Sequence, residues 1–585
     1  MTVMIFLSQI LRDLQAMLVA HFWPIWVALT AAAAICVAWA VGQAAAPAGQ
    51  SQYERHLVPT WRQVGTPGGI AALGTLAAFL VCYIAMILVW EDFAYYDHSF
   101  FTRGTGTLKG YNIALEIWPG DGRFCPLNFQ EFNLIRHFTD TVSGYHVLPI
   151  AELSIFVYIL FILSDELSIA ASAALAILVL LTPSILHSFG GLIYPERNEL
   201  LFLACIVLCV KCFEQTQSTA WAVAAAVCAQ FMLYYKETAF LLLLGFSAGK
   251  LILRCRNGSH GRWDFDRIWD KEGRLDLAFV GLVLLFLLYY FGVMGLHPNL
   301  NYAVKVRKPF LEVLLFYLSH DLLAWLLVAV VLGRIYLILR DRTAPLPLWD
   351  GLAFGGVVCF LAHLYLRIFT FYYLAPVDLI AVLYVGRFTI LSLEEMCSWR
   401  RVTVFIVGFT IVSQDLFFST ASRFERKNGI QAKAAIALVV EGRYRSRSET
   451  PLRLFFPFAG PYVITEFAYF LSYHGIPIEG VEGKGAGPND VVLSGRAIAE
   501  DGPCVEYRSI RCHAASGPAP GDLVIVLPDD TAPSAQASAY RARGEQLFSY
   551  EPRPAIVDDL VNWVDTAWMR GQFHLSTSSV NQEAR

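Results

Sequence analysis

Charge is scarce in this chain. Of its 585 residues only 16% are Asp, Glu, Lys or Arg, against 56% hydrophobic, and the mean hydropathy is +0.51. A soluble protein with that balance would expose far too much apolar surface, so the soluble class is excluded and a polytopic membrane protein is indicated. The formal charge of -4 is spread along the sequence without a Lys/Arg-rich block, which leaves no footprint for DNA or RNA. His98, His137, His187 and His363 are scattered without metal-ligand spacing, so a zinc enzyme is not indicated and no metal ligands are assigned. Gly104 and Gly106 do not continue into a nucleotide fingerprint and no Walker motif is present, which argues against nucleotide-sugar or ATP-driven chemistry. Heptads and internal repeats are also missing.

What is there is a series of apolar runs. A bilayer takes about twenty residues per helix, and the sequence offers about twelve spans: 17–41, 69–90, 146–163, 167–186, 195–213, 219–234, 237–253, 275–296, 312–332, 351–370, 374–391 and 402–420. The first precedes Gln43-Ala44-Ala45-Ala46, which looks like a cleavage site, but its apolar stretch exceeds an ordinary signal core and it is read as a retained span. The sixth and seventh could be one helix with Lys236 and Glu237 in its middle. Burying both charges costs about 2.5–3.5 kcal/mol each, so a turn at Tyr235-Lys236-Glu237 is favoured.

Orientation follows from the cations. Arg254, Arg256, Arg262, Arg267, Lys271 and Arg274 crowd one loop, Arg334, Arg340 and Arg342 a second, and Arg387, Arg400 and Arg401 a third. The positive-inside rule makes all three cytoplasmic and solvated. The loop 91–145, the turn 187–199, the Lys236-Glu237 turn, the loop 297–311 and residues 371–373 then share the outer side. Past residue 420 the composition turns polar. Leu452-Arg453-Leu454-Phe455-Phe456 and 522–528 read as strands and 464–473 as a helix, a small α/β unit outside the membrane. Cys504 and Cys512 lie there and either pair or stay free. Cys205, Cys209 and Cys212 share one face of an apolar span and behave as small hydrophobes.

The most unusual polar placement is Trp90-Glu91-Asp92-Phe93-Ala94-Tyr95-Tyr96-Asp97-His98, three acids where the second span leaves the bilayer. Carboxylates at that depth are costly, which fits chemistry on a membrane-held substrate; a solvated helix end is the alternative. Further along the same loop, Gly120-Asp121-Gly122-Arg123 leads to Gln130-Glu131-Phe132-Asn133-Leu134-Ile135-Arg136-His137, a turn followed by an amphipathic interfacial helix.

With these features the chain resembles the GT-C superfamily of integral-membrane glycosyltransferases. An acidic pair follows the first core helix, the first outer loop is long and carries an interfacial helix, and Arg367-Ile368-Phe369-Thr370-Phe371-Tyr372-Tyr373-Leu374-Ala375-Pro376 looks like their late Arg-Tyr-Tyr-Pro element. An outer soluble unit completes the layout from about residue 69 onward. The resemblance implies three parts: residues 1–68 as an additional N-terminal membrane helix and cytoplasmic linker, 69–420 as a GT-C-like transmembrane catalytic domain with a periplasmic loop 91–145, and 421–585 as a periplasmic α/β domain. It implies an inverting glycosyltransferase of the bacterial cytoplasmic membrane. The donor would be a polyprenyl-phosphate-linked sugar and the acceptor an envelope glycan, glycolipid or protein on the outer face.

Such a transfer needs a base for the acceptor and cations for the departing phosphate. Asp92 or Glu91 is the expected base, and Asp97 either orients the acceptor or caps a helix. A divalent cation on Glu91, Asp92 or Asp97 stays open, since GT-C members differ in this. The expected phosphate ligands are Arg197, Lys236, Arg367 and the loop cations Lys305, Arg307 and Lys308, the last three running against the positive-inside bias. The alternative for Arg197 is pairing with Glu196 or Glu199, and for Lys236 pairing with Glu237. Tyr95, Tyr96, Arg123, Glu131, Tyr372 and Tyr373 are expected to line the acceptor cavity. Two rival readings are a transporter or flippase of lipid-linked sugars, which should show broken helices in matching halves, and a non-catalytic membrane scaffold.

Overall fold

A computed structural model describes residues 15–43, 65–89, 115–118, 122–135, 137–139, 142–192, 194–257, 262–295, 309–368, 371–395, 435–446, 452–457, 491–495, 512–515, 521–526, 545–550 and 573–577, with a few isolated positions besides. The acidic segment holding Glu91, Asp92, Tyr95, Tyr96 and Asp97, the cations Lys305, Arg307 and Lys308, the span 402–420 and Cys504 lie outside the described residues.

The chain is mainly helical and multi-pass in character. Among the described residues six helices are long and apolar enough to cross a membrane, or seven if one bent pair counts as a single span. In order, the helices are α1 (Phe22–Gly42), α2 (Pro67–Val89), α3 (Gln130–Ile135), α4 (Val142–Leu163), α5 (Ile169–Leu181), α6 (Pro183–Gly190) and α7 (Glu196–Thr216). They continue with α8 (Thr219–Tyr235), α9 (Ala239–Cys255), α10 (Lys271–Met294), α11 (Phe310–His320), α12 (Leu322–Leu339), α13 (Pro347–Leu366) and α14 (Ala375–Glu395). Short hairpins β1–β2 (Glu116–Trp118, Arg123–Cys125) and β3–β4 (Arg256–Asn257, Arg262–Trp263) lie in the connections.

Two breaks depart from the sequence expectation. The span 167–186 is two helices meeting at 73° between Thr182 and Pro183, because Pro183 takes the first helical position of α6 and cannot continue α5. The span 312–332 is also divided: α11 stops at His320, and Asp321 caps α12 by accepting a hydrogen bond from the Ala324 N–H at 3.0 Å. The membrane-length helix therefore starts ten residues later than expected. By contrast the turn expected at Lys236-Glu237 is present between α8 and α9.

The tightest helix pair is α9 against α13, which run antiparallel through small residues. A Cβ on Gly355 would sit 2.8 Å from the Leu242 carbonyl oxygen, and one on Gly245 would sit 2.9 Å from the Gly355 Cα. Gly249 faces Gly351 one turn further along. Two Gly-x-x-x-Gly spacings thus let the backbones touch, the usual route to close packing where lipid supplies no hydrophobic drive. The contact sets the start of α9, with Lys236, beside the end of α13, with His363 and Arg367.

The far ends of these helices hold a second polar layer. Lys250 is buried between Glu214 (3.0 Å) and Asp276 (2.9 Å), and Arg254 bonds Glu214 (2.5 Å), Glu272 and Asp276 (3.2 Å). Arg254 is therefore not the solvated loop cation expected from the sequence. Helix α9 runs on to Cys255 and holds it against α7 and α10.

After residue 452 the described strands β5 (Arg453–Phe456), β6 (Val492–Gly495), β7 (Cys512–Ala514), β8 (Leu523–Val526), β9 (Glu545–Tyr550) and β10 (Phe573–Thr577) form one sheet in the order β7-β6-β5-β8-β10-β9. Strands β5 to β8 pair in parallel, while β10 is antiparallel to both its neighbours.

Candidate active site

Polar residues from several separate segments meet at one end of the helical bundle. The first contribution comes from the loop before α4, fastened by β2. Phe124 is fully buried, with its ring centroid 5.6–6.0 Å from those of Tyr234, Phe286, Tyr289 and Tyr290. The Leu127 N–H donates to the Tyr234 carbonyl at 3.1 Å. Successive side chains of a strand point to opposite sides, so anchoring Phe124 turns Arg123 and Cys125 the other way. Both reach Glu237 in the α8–α9 turn, Arg123 at 3.6 Å and Cys125 through its S–H.

Glu237 is held below the usual carboxylate range. Burial would raise it, but Arg123, Lys236 and the Cys125 S–H outweigh that effect. Burial, reinforced by Glu237, pushes the Cys125 thiol well up, so it stays a thiol.

The start of α7 supplies Glu196, Arg197, Asn198 and Glu199, all buried. Adjacent helix residues point about 100° apart, which separates Glu196 from Arg197. Arg197 turns to Glu152 of α4, to Glu131 of α3 at 3.2 Å and to the Gly191 carbonyl at 3.2 Å. Asn198 donates to Glu131 at 2.8 Å, and the Tyr235 hydroxyl donates to it at 3.3 Å. Glu131 is still pushed up to about 7, because burial and the nearby Glu152 outweigh much of the help from Arg197.

Glu196 turns to Lys236, whose ammonium donates to it at 2.6 Å. The same nitrogen lies 3.8 Å from the centroid of the Tyr373 ring, a cation–π contact strengthened by the absence of water. Burial alone pulls Lys236 down, yet Glu196 and Glu237 hold it well above its ordinary value, so it remains charged. Glu199, one turn from Glu196, is buried, and its carboxyl has no hydrogen-bond partner among the described residues.

The last contributions are the end of α13 and the 3₁₀ turn Phe371–Leu374. His363 bonds through Nδ1 to the Cys359 carbonyl at 2.9 Å, and its ring lies 6.3 Å from Tyr373. Tyr372 packs edge-on against Tyr373 (4.7 Å) and Tyr194 (4.9 Å), and Tyr194 stacks on His187 at 6.1 Å. Arg367 follows α13 in the left-handed region at φ 58°, partly exposed and without a carboxylate partner among the described residues.

Of the residues expected from the sequence, Arg123, Glu131, Arg197, Lys236, Tyr372 and Tyr373 are brought together here. Arg367 is at the same end. The pairing expected for Arg197 and Lys236 differs in detail: Arg197 takes Glu152 and Glu131, and Lys236 takes Glu196. Residues that sequence reasoning missed are Glu152, Cys125, Asn198 and Tyr235. Glu152 carried a usable signal, being the one acid inside the apolar run 146–163, where a carboxyl demands a partner.

Carboxyl groups outnumber cations. Glu131, Glu152, Glu196, Glu199 and Glu237 face Arg123, Arg197 and Lys236, so each described cation at the core is already matched by a carboxylate. Among the described residues no cluster of three or more His, Cys, Asp or Glu is arranged to hold a metal ion. No protein-family model matches the chain, and no curated protein is significantly similar to it.

Proposed function

We propose that the chain is a membrane glycosyltransferase of GT-C type, taking a sugar from a polyprenyl-phosphate carrier to an acceptor on the outer face of the cytoplasmic membrane. One observation carries this reading: the loop before α4, the α7 start, the Lys236-Glu237 turn and the Tyr372-Tyr373 element, segments that hold the candidate donor- and acceptor-binding residues, converge on one end of the bundle. The acidic segment with Asp92 and Glu91 belongs to the loop whose later part, β2 and α3, is docked there.

In this reading Asp92 or Glu91 accepts the acceptor proton as the hydroxyl attacks the anomeric carbon from the face opposite the phosphate, inverting it. Arg197 and Lys236, neutralised by Glu152, Glu131 and Glu196, fix the floor of the site and hold Tyr373 in place. The leaving phosphate then falls to Arg367, joined by Lys305, Arg307 and Lys308. Tyr372, Tyr194 and His187 offer flat faces for a sugar ring. The full count of about twelve spans and an outer α/β domain formed by the chain after residue 420 complete the proposal.

A transporter of lipid-linked sugars is the second reading, favoured by the two helix breaks. They are bridged: Ser184 at the start of α6 donates to Asp378 of α14, and Asp321 at the α11–α12 break hydrogen-bonds the same carboxyl. Discontinuous helices are a transporter feature.

One experiment separates the two. Purified protein is incubated with a panel of radiolabelled polyprenyl-phosphate sugars, beside Asp92→Asn, and label released from the lipid is measured; in parallel, proteoliposomes are tested for movement of the same lipids between leaflets. Cleavage lost in Asp92→Asn supports the transferase. Movement without cleavage supports the transporter.

A further inference from the structure

A cavity of about 140 Å³ lies between the C-terminal part of α9, the last turns of α12, the start of α13 and the β3–β4 hairpin. Helix α9 has 17 residues, so at ~1.5 Å per residue this cavity sits roughly 25 Å from the candidate active site, at the opposite end of the bundle. Its walls are hydrocarbon: Ile252, Leu253, Val331, Ile335, Ile338 and Phe354. The polar groups at its base are satisfied among themselves. Arg334 bonds Asp350 at 3.2 Å and the Ala344 carbonyl at 2.7 Å, and the Tyr384 hydroxyl donates to Asp350 at 2.5 Å. A water placed inside finds no group needing it, and an apolar void of this kind stays dry.

The mouth opens among exposed apolar residues. Ile252 and Leu339 on its rim are 52% and 60% exposed, and Leu332 and Tyr336 beside it on α12 are 61% and 54% exposed. An unfilled space there forfeits dispersion contacts on every wall. Exposed Trp263, Phe265 and Trp269 cluster in the adjoining connection, the residue types that settle at the headgroup level. Arg340 directly follows Leu339, packs over Tyr336 at 5.6 Å and is exposed. Neither it nor exposed Arg342 has a carboxylate partner among the described residues, whereas Arg256 on the rim is matched by Asp341 at 2.8 Å.

We infer that this cavity is a binding site for one acyl chain of an anionic phospholipid, whose phosphate is met at the rim by Arg340 and Arg342. Carbon walls and a dry base select a hydrocarbon chain. The two unmatched guanidinium groups select a negative headgroup. The site is independent of the proposed transfer chemistry and asks nothing of it.

The test uses full-length protein in phosphatidylcholine nanodiscs doped with phosphatidylglycerol carrying a diazirine on one acyl chain, with phosphatidylcholine bearing the same chain as the second probe. After photolysis, labelled residues are mapped by mass spectrometry. We expect label on Leu253, Val331, Ile335 and Phe354, stronger from the anionic probe. Ile335→Trp, which fills the space, should cut it at least fivefold while leaving label on exposed Leu332. The pair Arg340→Gln and Arg342→Gln should bring the anionic probe down to the level of the neutral one. If Ile335→Trp fails to fold by gel filtration and melting, Val331→Phe takes its place. Equal labelling by both probes in the wild-type protein, or wall labelling undiminished by the filling variant, overturns the inference.

Discussion

Lys236 places its Nζ 3.8 Å from the Tyr373 ring centre while donating to Glu196 at 2.6 Å. Lys236 and Glu196 are both buried, so the ammonium is as much a structural counter-ion as a candidate ligand. Lys236→Met should leave Glu196 uncompensated in a dry site and cost about 3–5 kcal/mol, read as a lower melting temperature in detergent. Adding Glu196→Gln should recover much of that loss. Were Lys236 only a phosphate ligand, the single variant would melt like the wild type.

Glu131 gives the site a pH signature. Its folded carboxyl keeps a proton up to about pH 7, while the ordinary value is near 4.5. Between those values the folded state binds more protons than the unfolded chain, so stability is full below about pH 4.5 and declines as pH rises towards 7. The loss should be about 3 kcal/mol. Glu131→Gln still accepts from Arg197 and Asn198 but cannot ionise. Its melting temperature should change less than the wild type's across pH 5 to 8.

These two residues also show how far the sequence could be read. The turn at Lys236-Glu237 was legible because burying two adjacent charges mid-helix is costly, and the expectation that it shares one end of the bundle with the start of α7 and residues 371–373 came from where the arginines sit. The partners were not legible. Which carboxylate meets Lys236 depends on how α7 is rotated against α9, a packing outcome no local spacing encodes, and Glu131 reaches Arg197 only because Phe124 anchors its loop among four aromatic rings. The break at Asp321 was marked by an N-cap residue ahead of an apolar run, but a continuous hydrophobic stretch masked it. Strands β5 and β8 were readable from their apolar runs; the other strands and the crossing order of the sheet were not.

The glycine contact between α9 and α13 should be intolerant of side chains. At Gly355 a Cβ meets backbone, the Leu242 oxygen at 2.8 Å and the Phe246 nitrogen at 2.9 Å, so neither helix can yield locally. Gly355→Leu should cost about 3 kcal/mol and also displace His363 from Lys236. Gly281, within α10, has nothing within 4 Å of its Cβ position. Gly281→Ala should be neutral or stabilise by about 0.5–1 kcal/mol, since it only removes freedom from the unfolded chain. Parallel melts of the two variants check this.

Arg367 separates stability from chemistry. Its left-handed backbone, φ 58°, is one that a side chain disfavours and glycine adopts freely. Arg367→Gly should therefore melt at the same temperature as the wild type or higher, while losing a guanidinium that no described carboxylate claims. If that guanidinium holds the donor phosphate, KM for a polyprenyl-phosphate sugar should rise about 10- to 100-fold, matching the loss of one charged hydrogen-bonding partner. Arg367→Lys keeps the charge without the bidentate fork and should fall between. A glycine variant that gains stability and keeps its KM would move the phosphate elsewhere, because every other described cation of the core is already paired with an acid.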